Sequence, residues 1–378
     1  MKKFLPAYLV ALCASMGFAQ DPNLHIYLAY GQSNMSGQAD VTDADRAEDP
    51  RFLVLRAANH SNQKVGEFYP AAPPMGHSAS KVGIVDIFGR KMVKELPDSI
   101  KIAVANVAIG GQSIDLFDKD RNTAYVQSAK NKGDTWWIQY LDEYGGDLYK
   151  RIVEMGKIAK EKGVIKGFLF HQGEADYQMN DWPQRVKKVY DDLIKDLGLD
   201  STQVPILVGE LATTAAGGDL GWRNSAVAEA ASLIPNGHLI SAEGCPALKE
   251  PSYTLHFTRQ GYETFGERYA EKMLELLKKA EPEVPPAADS SVTDTAQVAQ
   301  ADTAVAADSS AIVDTATVTA DSSTTAFRNS KSTELAITRY SSKNNGHLIY
   351  DEKRRKVFVS VEKDGRKWLI DVTGGRNR

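Results

Sequence analysis

Between Leu24 and Lys279 short, nearly continuous apolar runs alternate with longer amphipathic stretches, and this alternation narrows the possible folds more than any other feature. The apolar runs Leu24–Tyr30, Phe52–Leu55, Ile102–Ala108, Ile165–Phe170, Ile206–Leu211 and His238–Ser241 predict strands. The stretches near Ser80–Leu96, Leu141–Glu161, Gln184–Leu197, Arg223–Leu233 and Thr258–Lys279 predict helices. Strands that are apolar on both faces must be covered on both, and parallel strands need a crossover between them. The pattern therefore predicts an α/β domain, residues 20–280, with a parallel sheet between helices. Ligands of such sheets bind beyond the carboxyl ends of the strands.

Residues at those ends can perform acyl transfer. Gly31-Gln32-Ser33-Asn34-Met35 follows the first strand, and a serine at a tight strand-to-helix turn is a candidate nucleophile. Ser36, one turn on, reads as a capping residue. A nucleophile needs a base, a group that orients the base, and donors for the developing oxyanion. His256, in the loop before the last helix, is the expected base. In His171-Gln172-Gly173-Glu174, Glu174 can orient that base and Gln172 can aim its NH2 at the oxyanion; the alternative is that Glu174 pairs with a lysine and His171 packs at the strand end. The Gly110-Gly111 pair offers a backbone N–H unobstructed by a Cβ. Gln32, Asn34 and His171 flank these residues and are candidate substrate contacts. Trp136, Trp137 and Tyr140, and Tyr177 with Trp182, are candidate sugar-stacking rings or helix-packing anchors.

Other chemistries find no support. The seven histidines have no metal-ligand spacing, and no phosphate-cradling glycine motif is present, so neither a metal nor a cofactor is expected. A net charge of −4 favours neither nucleic acid nor an anionic membrane as partner.

The rest of the chain reads as processing and tethering segments. Lys2 and Lys3, the apolar Phe4–Met16 and the small residues of Gly17-Phe18-Ala19 predict a signal peptide over 1–19. Leu12 stands where a lipobox before Cys13 needs a small residue, so lipidation is not expected. The mature chain then keeps Cys245 alone, which excludes an intrachain disulfide and fits a periplasmic or secreted bacterial protein, with no membrane association after cleavage. Residues 281–333, rich in Ala, Asp, Thr and Ser, read as a disordered acidic linker. Residues 334–378 read as a basic, β-rich tail with a hairpin turn at Asp364-Gly365; an acidic polymer or the cell surface is its expected partner, and a solvated, partly disordered extension is the alternative.

Together, GQSNM at 31–35, AIGGQS at 108–113, HQGE at 171–174 and LHFT at 255–258 resemble the sialate O-acetylesterase and carbohydrate esterase family 6 branch of the SGNH hydrolases. The resemblance spans about Leu24 to Lys279. It implies a flavodoxin-like three-layer α/β/α fold and metal-independent removal of O-acetyl groups from carbohydrate, acetylated xylan above all. It implies Ser33 as nucleophile, His256 as base, and an oxyanion hole of the Ser33 N–H, the Gly111 N–H and the Gln172 side chain. Much of that superfamily has Asp three residues before the histidine; here Tyr253 stands there, and Glu174 is expected to take over. The linker and tail resemble the arrangement in secreted plant-cell-wall enzymes of fibre-degrading bacteria such as Fibrobacter. A sialate or other sugar O-acetylesterase, and a catalytically inactive carbohydrate-binding protein, are the alternatives.

Overall fold

A computed structural model describes residues 20–60 and 62–280, and the backbone of three strands between 346 and 371. The expected signal peptide and linker lie outside the described residues, as do the Asp364-Gly365 turn and most of the tail around the strands.

The chain builds a seven-stranded sheet from β1 (Leu24–Gly31), β2 (Phe52–Leu55), β3 (Phe68–Pro70), β4 (Lys101–Ala108), β5 (Val164–His171), β6 (Ile206–Gly209) and β7 (Gly237–Ile240). Its order is β3-β2-β4-β1-β5-β6-β7, parallel except for β3, which pairs antiparallel with β2. The helices are α1 (Ser33–Ser36), α2 (Ile84–Glu95), α3 (Asn122–Lys132), α4 (Ile138–Glu143), α5 (Leu148–Lys162), α6 (Trp182–Leu197), α7 (Asn224–Leu233) and α8 (Arg259–Ala280).

Strand β1 shows why three layers form. Alternate residues of a strand point to opposite faces. Ile26, Leu28 and Tyr30 join a core with residues of α5, α6 and α7, among them Ile152, Val189 and Val227. Tyr27 and Ala29 join the opposite core with Phe88 of α2 and Phe265 and Tyr269 of α8. Both faces of the sheet are thus dry, as the unbroken apolar runs predict.

Three differences from the sequence expectation have local causes. The helix expected over Leu141–Glu161 is two helices, because Gly145 and Gly146 both adopt positive φ, +81° and +85°, and end α4. Helix α3 was not anticipated: it buries only Asn122 and Ala129, so its sequence carries little apolar periodicity. The short β3 was also missed, since three residues ending in Pro70 make an edge strand without a strong pattern.

Position along the sheet decides the site. Gly31 ends β1 and pairs with Ala108 of β4 on one side and His171 of β5 on the other. The chain departs to opposite sides of β1 here, which opens a crevice at its carboxyl end. Gly31 has φ +152°, and a Cβ there would lie 2.0 Å from the His171 carbonyl oxygen, so no larger residue fits the turn into Ser33.

The nucleophile turn rests on α2 through Gly83, whose Cβ position would fall 2.6 Å from the Gly37 Cα. Asp86, in the first turn of α2, accepts the Gly83 N–H at 3.3 Å, while its other oxygen is buried without a partner. Burial pushes the Asp86 carboxyl up to about 7. The folded protein therefore keeps a proton that the unfolded chain releases near pH 4. That contribution to stability is complete below the unfolded carboxyl range and is lost as pH rises to about 7. Asp86→Asn keeps the acceptor for Gly83 and removes the titration. Urea unfolding from pH 4 to 8 should show the variant gaining on wild type as pH rises, by on the order of 2–4 kcal/mol at pH 8. Parallel curves across that range would refute the assignment.

The three tail strands, β8 (Gly346–Asp351), β9 (Lys356–Lys363) and β10 (Arg366–Asp371), form a separate antiparallel sheet in the order β10-β9-β8. Among the described residues no helix is long and apolar enough to cross a membrane.

Candidate active site

Ser33 is the first residue of α1, and its backbone N–H has no acceptor within that turn. The turn is fixed from both flanking strands. The Gln32 N–H donates to the His171 carbonyl at 3.0 Å, and Asn106 of β4 donates from Nδ2 to the Met35 carbonyl at 3.0 Å.

His256 comes from the far end of the domain, in the loop between β7 and α8. The His256 carbonyl accepts the Leu248 N–H at 2.7 Å, and the neighbouring Phe257 bridges to Ala247. Its Nε2 lies 2.9 Å from the Ser33 Oγ. On the other side of the ring, Nδ1 faces Glu250, with Oε1 at 3.0 Å and Oε2 at 2.8 Å. A carboxylate on Nδ1 selects the tautomer that carries its hydrogen there. The Nε2 lone pair is then free to accept the serine proton. This is the arrangement of a nucleophile, a general base and an orienting acid.

The orienting carboxylate is therefore not where the sequence reading put it. Glu174 does not touch His256. Its Oε1 accepts the Asn34 Nδ2–H at 2.7 Å and lies 3.7 Å from His171 Nδ1, and its Oε2 is buried without a partner. Glu250 was missed because it stands six residues before His256, and the Glu250–Leu255 loop folds it back onto the ring. The signal was present only as an acid in the same loop.

Gln172 also departs from its expected role. Its NH2 donates to the Gln112 carbonyl at 3.2 Å and to Asp176 Oδ2 at 2.6 Å, while its Oε1 accepts from Trp182 Nε1 at 2.5 Å. Every polar group of this fully buried amide is occupied, so no donor remains for an oxyanion. Gln172 instead ties the loop after β4 to the loop after β5. Gly110 and Gly111 both line the cleft beside Ser33, and Gly111 needs its positive φ of +71°. The Ser33 and Gly111 N–H groups are the expected oxyanion donors that stay at the cleft.

The remaining candidates divide cleanly. Asn34 is fully buried: its Nδ2 also donates to the Leu255 carbonyl at 3.1 Å, and its Oδ1 accepts the Tyr262 hydroxyl at 2.6 Å. It therefore pins the loop of His256 to the turn of Ser33 and does not line the cleft. His171 is buried too, with Nε2 3.0 Å from the Glu210 carbonyl. Gln32 lines the cleft, its Oε1 accepting the Gly173 and Ala175 N–H groups at 3.4 and 3.3 Å. Trp136 is 58% exposed and lines the cleft, whereas Trp137 is wholly inside the core. Tyr177 is exposed outside the cleft lining, and Trp182 is buried.

Ser36 is no cap. It meets His77, a residue the sequence reading did not single out, at 3.1 Å from Nε2. His77 Nδ1 accepts the Ala79 N–H, so Nε2 carries the hydrogen and donates to Ser36. Burial pulls the His77 imidazole down to about 4, which keeps it neutral. A ring that donates to Ser36 cannot take its proton, and this separates Ser36 from Ser33 as a nucleophile. His77 also stacks on Tyr140, with ring centroids 4.3 Å apart, and together they form one wall of a cleft of about 650 Å³.

A family model described as carbohydrate esterase, sialic acid-specific acetylesterase matches residues 23–275. Among solved structures, the domain is similar to a protein from Arabidopsis thaliana (22% identity, TM-score 0.50), the alignment covering 68% of this chain and 99% of that one. NanS is similar at 16% identity and TM-score 0.50, with the same two coverages. A carbohydrate acetylesterase from Xanthomonas citri aligns at 16% identity and TM-score 0.45, over 67% of this chain and 57% of its own. The first two likenesses show the shared fold.

The two glutamates make a direct test. With His256 as the base, reaction of Ser33 with diisopropyl fluorophosphate should depend on proton removal by that ring. Glu250→Gln should slow that reaction by roughly a hundredfold or more, and Glu174→Gln, which keeps an acceptor for Asn34, by less than about tenfold. The reverse ranking would return the orienting role to Glu174.

Proposed function

Because the chain belongs to the carbohydrate esterase family of sialic acid-specific acetylesterases, we propose that it is an exported serine esterase of the carbohydrate esterase family 6 type, removing O-acetyl groups from polysaccharide, acetylated xylan first. The observation that carries this reading is the Glu250–His256–Ser33 relay at the floor of an open cleft. The family supplies the reaction class, a carbohydrate O-acetylesterase; the relay supplies a way to run it.

The steps follow from the geometry. Ser33 Oγ attacks the acetyl carbonyl carbon as its proton passes to His256 Nε2. The imidazolium is stabilised by Glu250 on Nδ1, an ion pair only partly screened in a half-buried site. The carbonyl oxygen becomes an oxyanion and takes hydrogen bonds from the Ser33 and Gly111 N–H groups, each such donor contributing about 10²–10³-fold in rate. Collapse returns the proton from His256 to the departing sugar oxygen and leaves acetyl-Ser33. Water, deprotonated by the same imidazole, then releases acetate. Trp136 and Tyr140 at the cleft support a sugar as the alcohol half, since aromatic faces pack against the C–H faces of pyranose rings.

Hydrolysis of acetylated sialic acid is the second reading, and the family's description favours it. The complete relay argues against an inactive binding protein. Ser33→Ala should lower turnover of p-nitrophenyl acetate by about 10⁴-fold or more with the unfolding midpoint unchanged. Wild type should release acetate from acetylated xylan faster than from acetylated sialic acid. Full activity in Ser33→Ala would remove the serine mechanism, and the opposite substrate order would favour the sialate reading.

We further propose that the tail, with its Lys353-Arg354-Arg355-Lys356 run, tethers the exported enzyme to an acidic polymer or to the cell surface. Sedimentation of the full chain with cell envelopes should exceed that of a chain ending at residue 333 and fall with added salt. Equal sedimentation of the two chains would defeat the tether.

A further inference from the structure

The aromatic side chains that stay exposed are not scattered. The exposed aromatic residues of the described domain are Trp136 (58%), Tyr177 (40%), Trp222 (59%) and Tyr253 (60%). All four belong to segments that follow the carboxyl ends of β4, β5, β6 and β7, one ring for each strand. None lies on the outer faces of the long helices. Leaving such rings in water forfeits the free energy of burying them, about 25 cal/mol for each Å², so their confinement to the rim of the active site calls for a ligand.

The segments that carry them are joined. Trp136 covers Gly111, its ring 3.4 Å from where a Cβ of that glycine would stand. Arg223, next to Trp222, donates to the Asp176 carbonyl at 3.3 Å and to the Met179 carbonyl, holding the loop of Tyr177. Asp219, three residues before Trp222, exchanges two hydrogen bonds with Thr254, next to Tyr253, at 2.8 and 3.1 Å. The segments that carry Tyr177, Trp222 and Tyr253 are therefore braced to one another, and Tyr253 and Trp136 both line the cleft that holds Ser33.

Charge narrows the ligand. No Lys or Arg lines the cleft, while Glu174 and Glu250 do, and Lys249 lies outside the lining. The Arg223 guanidinium is buried outside the cleft lining, and one of its nitrogens donates to two backbone carbonyls. A sugar acid would bring a carboxylate beside two others with no cation to meet it. A neutral sugar chain brings no charge to that cleft and offers apolar ring faces to the aromatics.

We propose that Tyr177, Trp222 and Tyr253 form a track that binds a run of neutral sugar units beyond the acetylated one, so that the domain engages polymer and excludes sugar acids from its cleft. This rests on the esterase reading only for what the bound chain is used for; the binding itself is independent of turnover. Isothermal titration of the full chain with xylohexaose separates the two. Trp222→Ala and Tyr177→Ala should each weaken the affinity at least about fivefold, Trp222→Phe should restore most of it, and hexagalacturonate should bind at least about tenfold more weakly than xylohexaose. Unchanged affinity in both alanine variants would overturn the track, whether or not the protein hydrolyses esters. Equal affinity for the acidic oligosaccharide would overturn the exclusion of sugar acids. Loss of p-nitrophenyl acetate hydrolysis is a separate readout, and its absence in wild type would sink the esterase reading alone.

Discussion

A hydrogen bond of 2.9 Å between the Ser33 hydroxyl and the His256 imidazole joins residues 223 positions apart, and the architecture of the domain is arranged to hold it. Ser33 is placed by β1, the strand at which the sheet order turns, with backbone support from β5 and side-chain support from β4. His256 is placed by a loop whose two ends pair at Leu248 and whose middle is caught by Asp219 at Thr254. Asn34 links the two sides, bonding the Leu255 carbonyl from the residue next to the nucleophile. Neither partner is held by its own element alone, and each of these braces is a hydrogen bond.

The buried polar groups below the site are mostly braces. Glu174, Asn34, Gln172, Asp176 and Tyr262 hold one another and the loops after β4, β5 and β7. An unpaired polar group in such surroundings costs about 1–3 kcal/mol, so the network favours one arrangement of the rim over its competitors. This accounts for Asn34, His171 and Gln172, polar residues of the GQSNM and HQGE motifs that do not line the cleft. Their chemistry looks catalytic in the sequence, and their work is positional in the fold.

How much was legible follows from the same distinction. Strand positions were readable because a strand covered on both faces must be apolar at every residue, and β1, β2, β4 and β5 fall within a residue or so of the predicted runs. That Ser33, Gly111 and His256 meet at one cleft was readable because each stands at or just after a strand end, or in the loop before the last helix. Gln172 was misread because Trp182 and Asp176, which occupy it, lie in the following segment at spacings that no motif marks. Trp136 and Trp137 are neighbours in sequence with opposite fates, one on the rim and one in the core, and only the bend into α4 decides which. Glu250 was invisible because the turn of its loop, and not its spacing from His256, brings it to the ring.

The claim at the centre is that a covalent acetyl group resides on Ser33 during turnover. Rapid acid quench of the enzyme during hydrolysis of p-nitrophenyl acetate, followed by peptide mass spectrometry, observes this group directly. The account predicts acetylation of the peptide containing Ser33, located by fragmentation to that residue and absent from Ser33→Ala. Acetate release without any acetylated peptide, or with the acetyl group on Ser36, would contradict it.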